Sequence, residues 1–326
     1  MRTLSTVTAA CAALSFVAGS AWAQDVRRSV ADAAAVLIGT SRDVERVSEN
    51  LVIHRVVVER VLHGDVVEVV SVVDLPTLSL HVRPQRGQRR LFCLGTFERQ
   101  ARRHGLPDRW APYYRLSPAP AAHPLVNSSE TSQGLLDFVQ IVLDSERGAG
   151  PRPVNDRLLP LIFEGPAAVR LEAVHLLTQR RVLLEALTPL QLSQLQARAV
   201  GEVDDVSFKV ALAELLAERR LEGLVDALCL SIDAVEDRRF AESLGRIAKL
   251  MHGEDALEVL RPHLEQRRRA DAHGRLLIAL GATSTERALR ALLRMRASDT
   301  GDRQWVDAAL RLHGSPEALA VLRDDG

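Results

Sequence analysis

Residues able to carry enzyme chemistry are present in this chain, but their spacing matches no common catalytic motif. The 326 residues contain no glycine-rich phosphate loop, Gly-x-Ser-x-Gly elbow, His-Glu-x-x-His helix or Cys-x-x-Cys pair. The carboxylate pairs Asp204-Asp205 and Asp324-Asp325 consist of adjacent residues. Adjacent side chains point apart on a helix or strand and do not form a general acid and base couple. We therefore predict a non-catalytic protein; the alternative is an enzyme whose site is assembled from residues far apart in the sequence.

The histidine and cysteine positions likewise indicate no metal centre. His252, His263 and His273 stand 11 and 10 residues apart, without the i to i+4 spacing that points two ligands at one ion. We expect solvated histidines at helix ends, no bound metal and no cofactor. Cys93 and Cys229 fall in segments of different structural period, so we predict two buried thiols rather than a disulfide.

One segment, residues 83–115, has a composition typical of polyanion binding. Nine arginines accompany only two acidic residues, Glu98 and Asp108, and aromatic residues are interleaved. A basic groove with aromatic platforms holds a polyanion by charge and stacking. The competing interpretation is that the arginines occupy exposed loops and that the aromatic rings pack the domain against its neighbour. The candidate binding residues are Arg83, Arg86, Arg89, Arg90, Arg99, Arg102, Arg103, Arg109, Trp110, Tyr113 and Tyr114.

A second set of arginines recurs at or near predicted helix ends in the C-terminal part of the chain. In stacked helical repeats such residues line a surface for an acidic partner. The alternative is that cations near helix C-termini offset the helix dipole, at about 0.3 to 1 kcal/mol each. The candidate partner-surface residues are Arg180, Arg181, Arg219, Arg220, Arg238 and Arg239.

The first residues have the pattern of a secretory signal. Arg2 supplies a positive charge, the run from Leu4 to Val17 is apolar, and Ala21-Trp22-Ala23 is a small-x-small cleavage pattern. We predict removal of residues 1–23 and a periplasmic or extracellular protein. The apolar run is too short for a membrane span, so we expect no transmembrane segment in the mature chain. The 42 basic residues balance 42 acidic ones, which excludes a globally basic nucleic-acid binder, and we expect no nucleic-acid partner.

Residues 24–116 are predicted to form a small antiparallel β-barrel. β-Branched residues dominate short runs such as Val56-Val57-Val58, Val66-Val67 and Val72-Val73, which is typical of strands. Turn signals separate these runs at the irregular spacing of a small sheet or barrel rather than of a βαβ unit. A short helix, Arg27 to Ala35, is expected before the first strand.

The order of these pieces resembles small extracytoplasmic OB-like barrels of the tissue-inhibitor or netrin-like kind over about 80 residues. The resemblance rests on Ile38-Gly39-Thr40, on Val61-Leu62-His63-Gly64-Asp65 and on Gly87-Gln88-Arg89-Arg90-Leu91-Phe92. Metalloprotease inhibitors of that class use a mature N-terminal cysteine to chelate the protease zinc. Here the mature chain would begin at Gln24, so the resemblance implies the barrel and not protease inhibition.

Prolines and small residues in 117–130 predict a linker, and residues 131–326 are predicted to be helical. Apolar motifs such as Ala256-Leu257-Glu258-Val259-Leu260 recur every 30 to 33 residues, each followed by a second helix. Glycines at 253, 281 and 314 are expected to end the second helices. These two-helix units resemble short HEAT-like repeats, with ankyrin repeats as a weaker alternative.

Together these patterns predict a multidomain α+β protein, with an OB-like barrel followed by an α-solenoid. The preferred hypothesis is an exported, non-catalytic interaction or scaffold protein that binds a protein partner or an anionic envelope polymer through its solenoid. The alternatives are a polyanion-binding module that uses residues 83–115, and an enzyme with a non-local site.

Overall fold

A closed β-barrel is followed by a series of helices, which is the α+β arrangement predicted. The computed structural model describes residues 26–75, 84–117, 123–201, 205–266, 269–298 and 302–323. The expected signal segment, Arg83 and part of the expected linker lie outside these ranges. The chain divides into two compact units, Met1–Ala186 and Leu187–Gly326. The first unit therefore includes the barrel together with helices that the sequence analysis assigned to the solenoid.

The barrel of the first unit is closed in the strand order β1-β2-β3-β5-β4, with β4 pairing back on β1. Helix α1 covers residues 26–31, so it is shorter than predicted, and Ala35 already belongs to β1. The neighbouring strands are antiparallel except for β3 and β5, which pair in parallel. The strands are β1 (Ala35–Ser48), β2 (Leu51–His63), β3 (Val69–Asp74), β4 (Arg89–Thr96) and β5 (Tyr113–Leu116).

The predicted valine runs fill the barrel interior where they fall in strands. Val56, Val70 and Val72 are fully buried in one apolar cluster that also contains Phe92. The run Val66-Val67 is not a strand, because the chain turns at Gly64 and pairs again only from Val69 onward. Helix α2 (Glu98–Arg103) and a 3-10 turn (Asp108–Trp110) connect β4 to β5.

The described part of the first unit contains four further helices: α3 (Glu130–Glu146), α4 (Pro151–Glu164), α5 (Ala167–Gln179) and α6 (Arg181–Glu185). Ser129 begins α3 because its hydroxyl accepts a hydrogen bond from the Ser132 amide at 3.3 Å. Arg147, at the end of α3, donates to the carbonyl oxygen of Leu62 at 3.1 Å. This hydrogen bond ties the helices of the first unit to its barrel.

The described residues of the second unit form nine helices that pack in two rows. Helices α8, α10, α12 and α14 pack against one another in sequence, and α9, α11 and α13 form the other row. This alternation is the pairing that the repeated motifs predicted. The helices are α7 (Pro189–Val200), α8 (Val206–Glu218), α9 (Leu224–Ser231), α10 (Arg238–His252), α11 (Ala256–Glu265), α12 (Ala270–Ala282), α13 (Glu286–Ala297), α14 (Arg303–His313) and α15 (Pro316–Arg323).

Two of the three predicted glycine stops are confirmed, and one is wrong. Gly253 and Gly314 follow α10 and α14 with positive φ angles of 59° and 70°. Gly281 lies inside α12, where a Cβ atom would collide with the carbonyl oxygen of Ala309 in α14. The glycine is needed for the close approach of two helices and not for ending one.

Both predicted thiols are buried, and neither forms a disulfide with a described residue. Cys93 lies on β4 and Cys229 on α9, in different units. Burial raises the pKa of the Cys93 thiol to about 12, because the thiolate is poorly solvated in an apolar interior.

Candidate polyanion interface on the barrel

Helix α2, the 3-10 turn and β5 are held side by side by hydrogen bonds of the chain around Tyr113. The amide of Phe97 donates to the Tyr113 carbonyl oxygen at 3.1 Å, and the Tyr113 amide donates to Glu98 Oε1 at 2.6 Å. The Tyr113 hydroxyl donates to the carbonyl oxygen of Pro107 at 2.8 Å. These bonds bring together three short segments that are consecutive in sequence but have different backbone conformations.

The same three segments carry five exposed arginines, which we call the arginine face: Arg99, Arg102, Arg103, Arg109 and Arg115. Within the part of the chain that the structure describes, none of the five forms an ion pair. The Arg109 guanidinium stands 5.4 Å from the centroid of the Trp110 ring, a cation–π contact. The side chain of Arg115 lies across Gly95 of the neighbouring strand β4.

The arginine face is positively charged because its arginines outnumber the acidic residues of the same segments and form no ion pair with a described residue. The segments that carry its five arginines contain two acidic residues, Glu98 and Asp108, and the Glu98 carboxylate already accepts a hydrogen bond from the Tyr113 amide. Like-charged guanidinium groups concentrated on one surface attract anions, and each presents a planar fork that fits two oxygens of a phosphate or carboxylate.

The aromatic residues of the segment are mostly packing residues. Tyr113 is only 3% exposed and lies in an apolar cluster with Phe97 and Leu106. Trp110 packs partly against this cluster, and Tyr114 packs partly against the other barrel cluster. Burial raises the pKa of the Tyr113 hydroxyl, which is consistent with its place in the interior. Tyr113 is therefore a core residue and not an exposed stacking platform.

The remaining arginines of the predicted segment are used within the protein. Arg90 is 5% exposed and donates from Nη1 to the carbonyl oxygen of His123 at 2.6 Å, and burial lowers its pKa. Arg89 forms a 2.5 Å ion pair with Glu59, and this hydrogen bond lowers the Glu59 pKa. Arg86 lies 3.8 Å from Asp43 in an exposed pair. The segment therefore contains arginines that are buried or paired within the protein and arginines that are exposed and unpaired among the described residues. Composition alone does not distinguish the two kinds.

Most of the predicted partner-surface arginines on the helices are also paired with neighbouring carboxylates. The pairs are Arg180 with Glu146, Arg181 with Glu185, Arg238 with Glu242 and Arg239 with Asp237. The Arg239 hydrogen bond lowers the Asp237 pKa, and the same contact raises the pKa of Arg239. Arg219 and Arg220 are exposed and form no ion pair with a described residue.

The first unit also contains a cleft that the sequence analysis did not anticipate. It has a volume of about 420 Å³ and is lined by Arg27, Arg28, Val142, Glu146, Gln179 and Arg180. Arg27 is 9% exposed, and burial lowers its pKa although the charge of Glu172 acts in the opposite direction. Because Arg180 is paired with Glu146 and Arg27 faces Glu172, acidic groups balance the guanidinium charges here. The cleft therefore carries less uncompensated positive charge than the arginine face.

The histidines occupy separate environments. His263 Nε2 lies 2.9 Å from Asp226 Oδ1, and His273 Nε2 lies 3.6 Å from Asp302. Among the described residues there is no group of three or more His, Cys, Asp or Glu side chains that could hold a metal ion. Within those same ranges, no helix has the length and apolar character needed to cross a membrane.

Comparison of the chain with family models, with curated proteins and with solved structures gave no match in any of the three searches.

Proposed function

We propose that this protein is an exported, non-catalytic binding protein whose β-barrel binds an anionic polymer of the cell envelope through the arginine face. The observation that carries the proposal is the contrast in pairing. The five arginines of the face have no ion-pair partner among the described residues, whereas four of the six candidate arginines on the helices are paired with carboxylates.

Unpaired surface charge supports binding because no internal contact has to be broken first. An arginine in an exposed ion pair gains at most about 1 kcal/mol from it, but its field is largely cancelled by the neighbouring carboxylate. Five uncancelled guanidinium groups produce a local positive potential that attracts a polymer of repeated negative charge. Binding then releases condensed counterions and weakens as salt increases.

The packing of the aromatic side chains indicates which type of anionic ligand the arginine face can bind. Proteins that hold single-stranded nucleic acids stack the bases on exposed aromatic rings. Tyr113 is buried and Trp110 lies beside Arg109, so this face offers charge rather than stacking. We therefore favour phosphate-bearing or carboxylate-bearing envelope polyanions, such as lipid A phosphates, anionic glycans or teichoic-type polymers, over nucleic acid.

The remaining parts of the proposal concern export and the helices. Export is supported by the signal-like residues 1–23, which precede the described chain. We interpret the barrel as OB-like because of the turn and strand order quoted above. We interpret the paired helices of the second unit as short HEAT-like repeats because their apolar motifs recur every 30 to 33 residues.

The test uses the chain from Gln24 onward and measures retention on immobilised heparin, a model polyanion, as salt is increased. Charge reversal by Arg102→Glu together with Arg103→Glu should move elution to clearly lower salt. The matched control is Arg219→Glu with Arg220→Glu, since these two are also adjacent, exposed and unpaired near a helix C-terminus. Equal shifts for the two double variants would show that retention depends on net charge alone and would contradict the proposal.

A second candidate function, a scaffold for a protein partner, is favoured by exposed apolar side chains on the helices of the second unit. Leu190, Leu230 and Leu250 are 69%, 63% and 55% exposed. Large exposed leucines on helices are typical of contact surfaces when they lie close together. Under this function, Leu230→Ser with Leu250→Ser should abolish capture of a salt-resistant partner from envelope extract, and the Arg102/Arg103 double variant should still capture it.

A further inference from the structure

Among the described residues, the outer half of β1, Arg42–Ser48, is paired with a strand along one edge only. Strand β4 pairs with β1 only from Ala35 to Thr40, and the last hydrogen bonds on that side join Ser41 to Gly87 and Gln88. Beyond Ser41, β1 pairs with β2 on one side, and no other described residue is hydrogen-bonded to its opposite side. We call residues 42–48 the free edge.

Every residue of the free edge is exposed, including Val44 at 47% and Val47 at 45%. Its regular part, Asp43–Arg46, lies between register irregularities at Arg42 and Val47 and spans about 13 Å at about 3.3 Å per residue. Alternate amide and carbonyl groups of such a strand point outward and are a template for another strand. The protein therefore presents a ready strand-addition site, provided that the side chains permit a partner to approach.

The side chains oppose pairing of the free edge with a second copy of itself. Consider two copies of the edge paired antiparallel about a two-fold axis. If the axis passes through Val44, Asp43 of each copy lies opposite Glu45 of the other. Registers centred on Asp43, Glu45 or Arg46 place that charged residue opposite its own copy. Like charges directly opposite each other destabilise a strand pair. Each of these registers disfavours a second copy, and the charge pattern favours a different chain whose charges complement those of the edge.

We propose that the free edge binds an extended segment of another protein by antiparallel strand addition. Because side chains alternate between the two faces of a strand, Asp43 and Glu45 share one face, and Val44 and Arg46 share the other. The complementary segment reads acidic, basic, apolar, basic, and places these residues opposite Arg46, Glu45, Val44 and Asp43 in turn. The existing contact of Asp43 with Arg86, at 3.8 Å and with both side chains mostly exposed, costs little to replace.

The test titrates the full chain from Gln24 onward with two fluorescent peptides of equal composition and length. One carries Glu-Lys-Val-Lys at its centre, and the other carries the charge-swapped core Lys-Glu-Val-Glu with flanking residues that equalise net charge. The first should bind at least about tenfold more tightly, since three opposite-charge pairs become three like-charge pairs. The variant Asp43→Lys with Glu45→Lys and Arg46→Glu should reverse this preference. Equal binding of the two peptides, no binding up to about 1 mM, or an unreversed preference in a variant with an unchanged circular dichroism spectrum would overturn the proposal.

A second measurement separates strand addition from simple charge attraction. Two versions of the preferred peptide carry N-methyl groups on alternate residues, one set on even and the other on odd positions. In an added strand only one set of amides faces β1, so one version should lose binding and the other should keep it. Equal binding of both versions would mean that no backbone ladder forms and would also overturn the proposal.

Discussion

Replacing Gly281 by alanine is expected to destabilise the second unit, even though alanine is the better helix former. Gly281 lies within α12 at its crossing with α14. A Cβ atom placed on it would lie 2.9 Å from the Cα atom of Ala309 and 2.8 Å from its carbonyl carbon, and would collide with the carbonyl oxygen. All three are backbone atoms, so no side chain can rotate to make room.

The magnitude follows from two opposing contributions. Alanine stabilises a helix interior by about 1 kcal/mol relative to glycine. Overpacking a close contact costs about 1 to 3 kcal/mol, and the upper part of that range applies because two helix backbones must separate. We therefore expect a net loss of about 1 to 2 kcal/mol in the free energy of unfolding, and a larger loss for Gly281→Val.

Urea denaturation followed by circular dichroism at the helix band measures this change. The control is Gly150→Ala, because a Cβ there would meet only Pro153 Cδ at an ordinary 3.7 Å and the φ angle is −59°. The control lies at the N-cap of α4, where alanine is less favourable than glycine, so it should lower the midpoint by less than Gly281→Ala does; the slope should stay unchanged in both variants. A midpoint for Gly281→Ala equal to or above that of the wild type would refute the close approach of α12 and α14.

Two further predictions concern titratable groups. Burial raises the pKa of Cys93 to about 12, so about one thiol in ten thousand is ionised at pH 8. A thiol reagent should therefore label Cys93 only after unfolding. Rapid labelling of Cys93 in the native chain would contradict its burial. Arg239 lowers the pKa of Asp237 in the folded state. The ionised carboxylate therefore stabilises the fold at pH values above its unfolded pKa, and this contribution is lost as the pH falls through the folded pKa. The difference in unfolding free energy between wild type and Asp237→Asn should shrink from pH 7 towards acid. A difference that grows in acid would show that the contact with Arg239 does not lower this pKa.

Local sequence patterns were sufficient for the type and order of most elements. The repeated motif around Ala256 and Leu260 predicted a helix where α11 lies, because apolar residues at helical spacing need one buried stripe. Strands β2 and β3 were predicted from the runs Val56-Val57-Val58 and Val72-Val73, because β-branched residues favour extended backbone. Burial of Cys93 and Cys229 was also predicted.

For the candidate site, the sequence predicted an excess of arginine in residues 83–115 but not which of these arginines are unpaired. Arg89 and Arg102 look alike in the sequence, but Arg89 is paired with Glu59, 30 residues away, and Arg102 is unpaired among the described residues. Pairing of this kind depends on strand register, since Thr40 of β1 stands opposite Arg89 in β4 and also bonds Glu59 of β2. Arg27 could not be recognised as buried, because its surroundings come from α3 and α5.

The sequence by itself determined the strand-rich and helix-rich parts of the chain, the helix pairing and the excess of arginine in residues 83–115, because these depend on periodicity and local composition. Tertiary structure alone decided the parallel pairing of β3 with β5, the free edge of β1, the role of Gly281 and the identity of the unpaired arginines. Each of these depends on atoms that are distant in sequence and adjacent in space, and no local pattern encodes which distant atoms will meet.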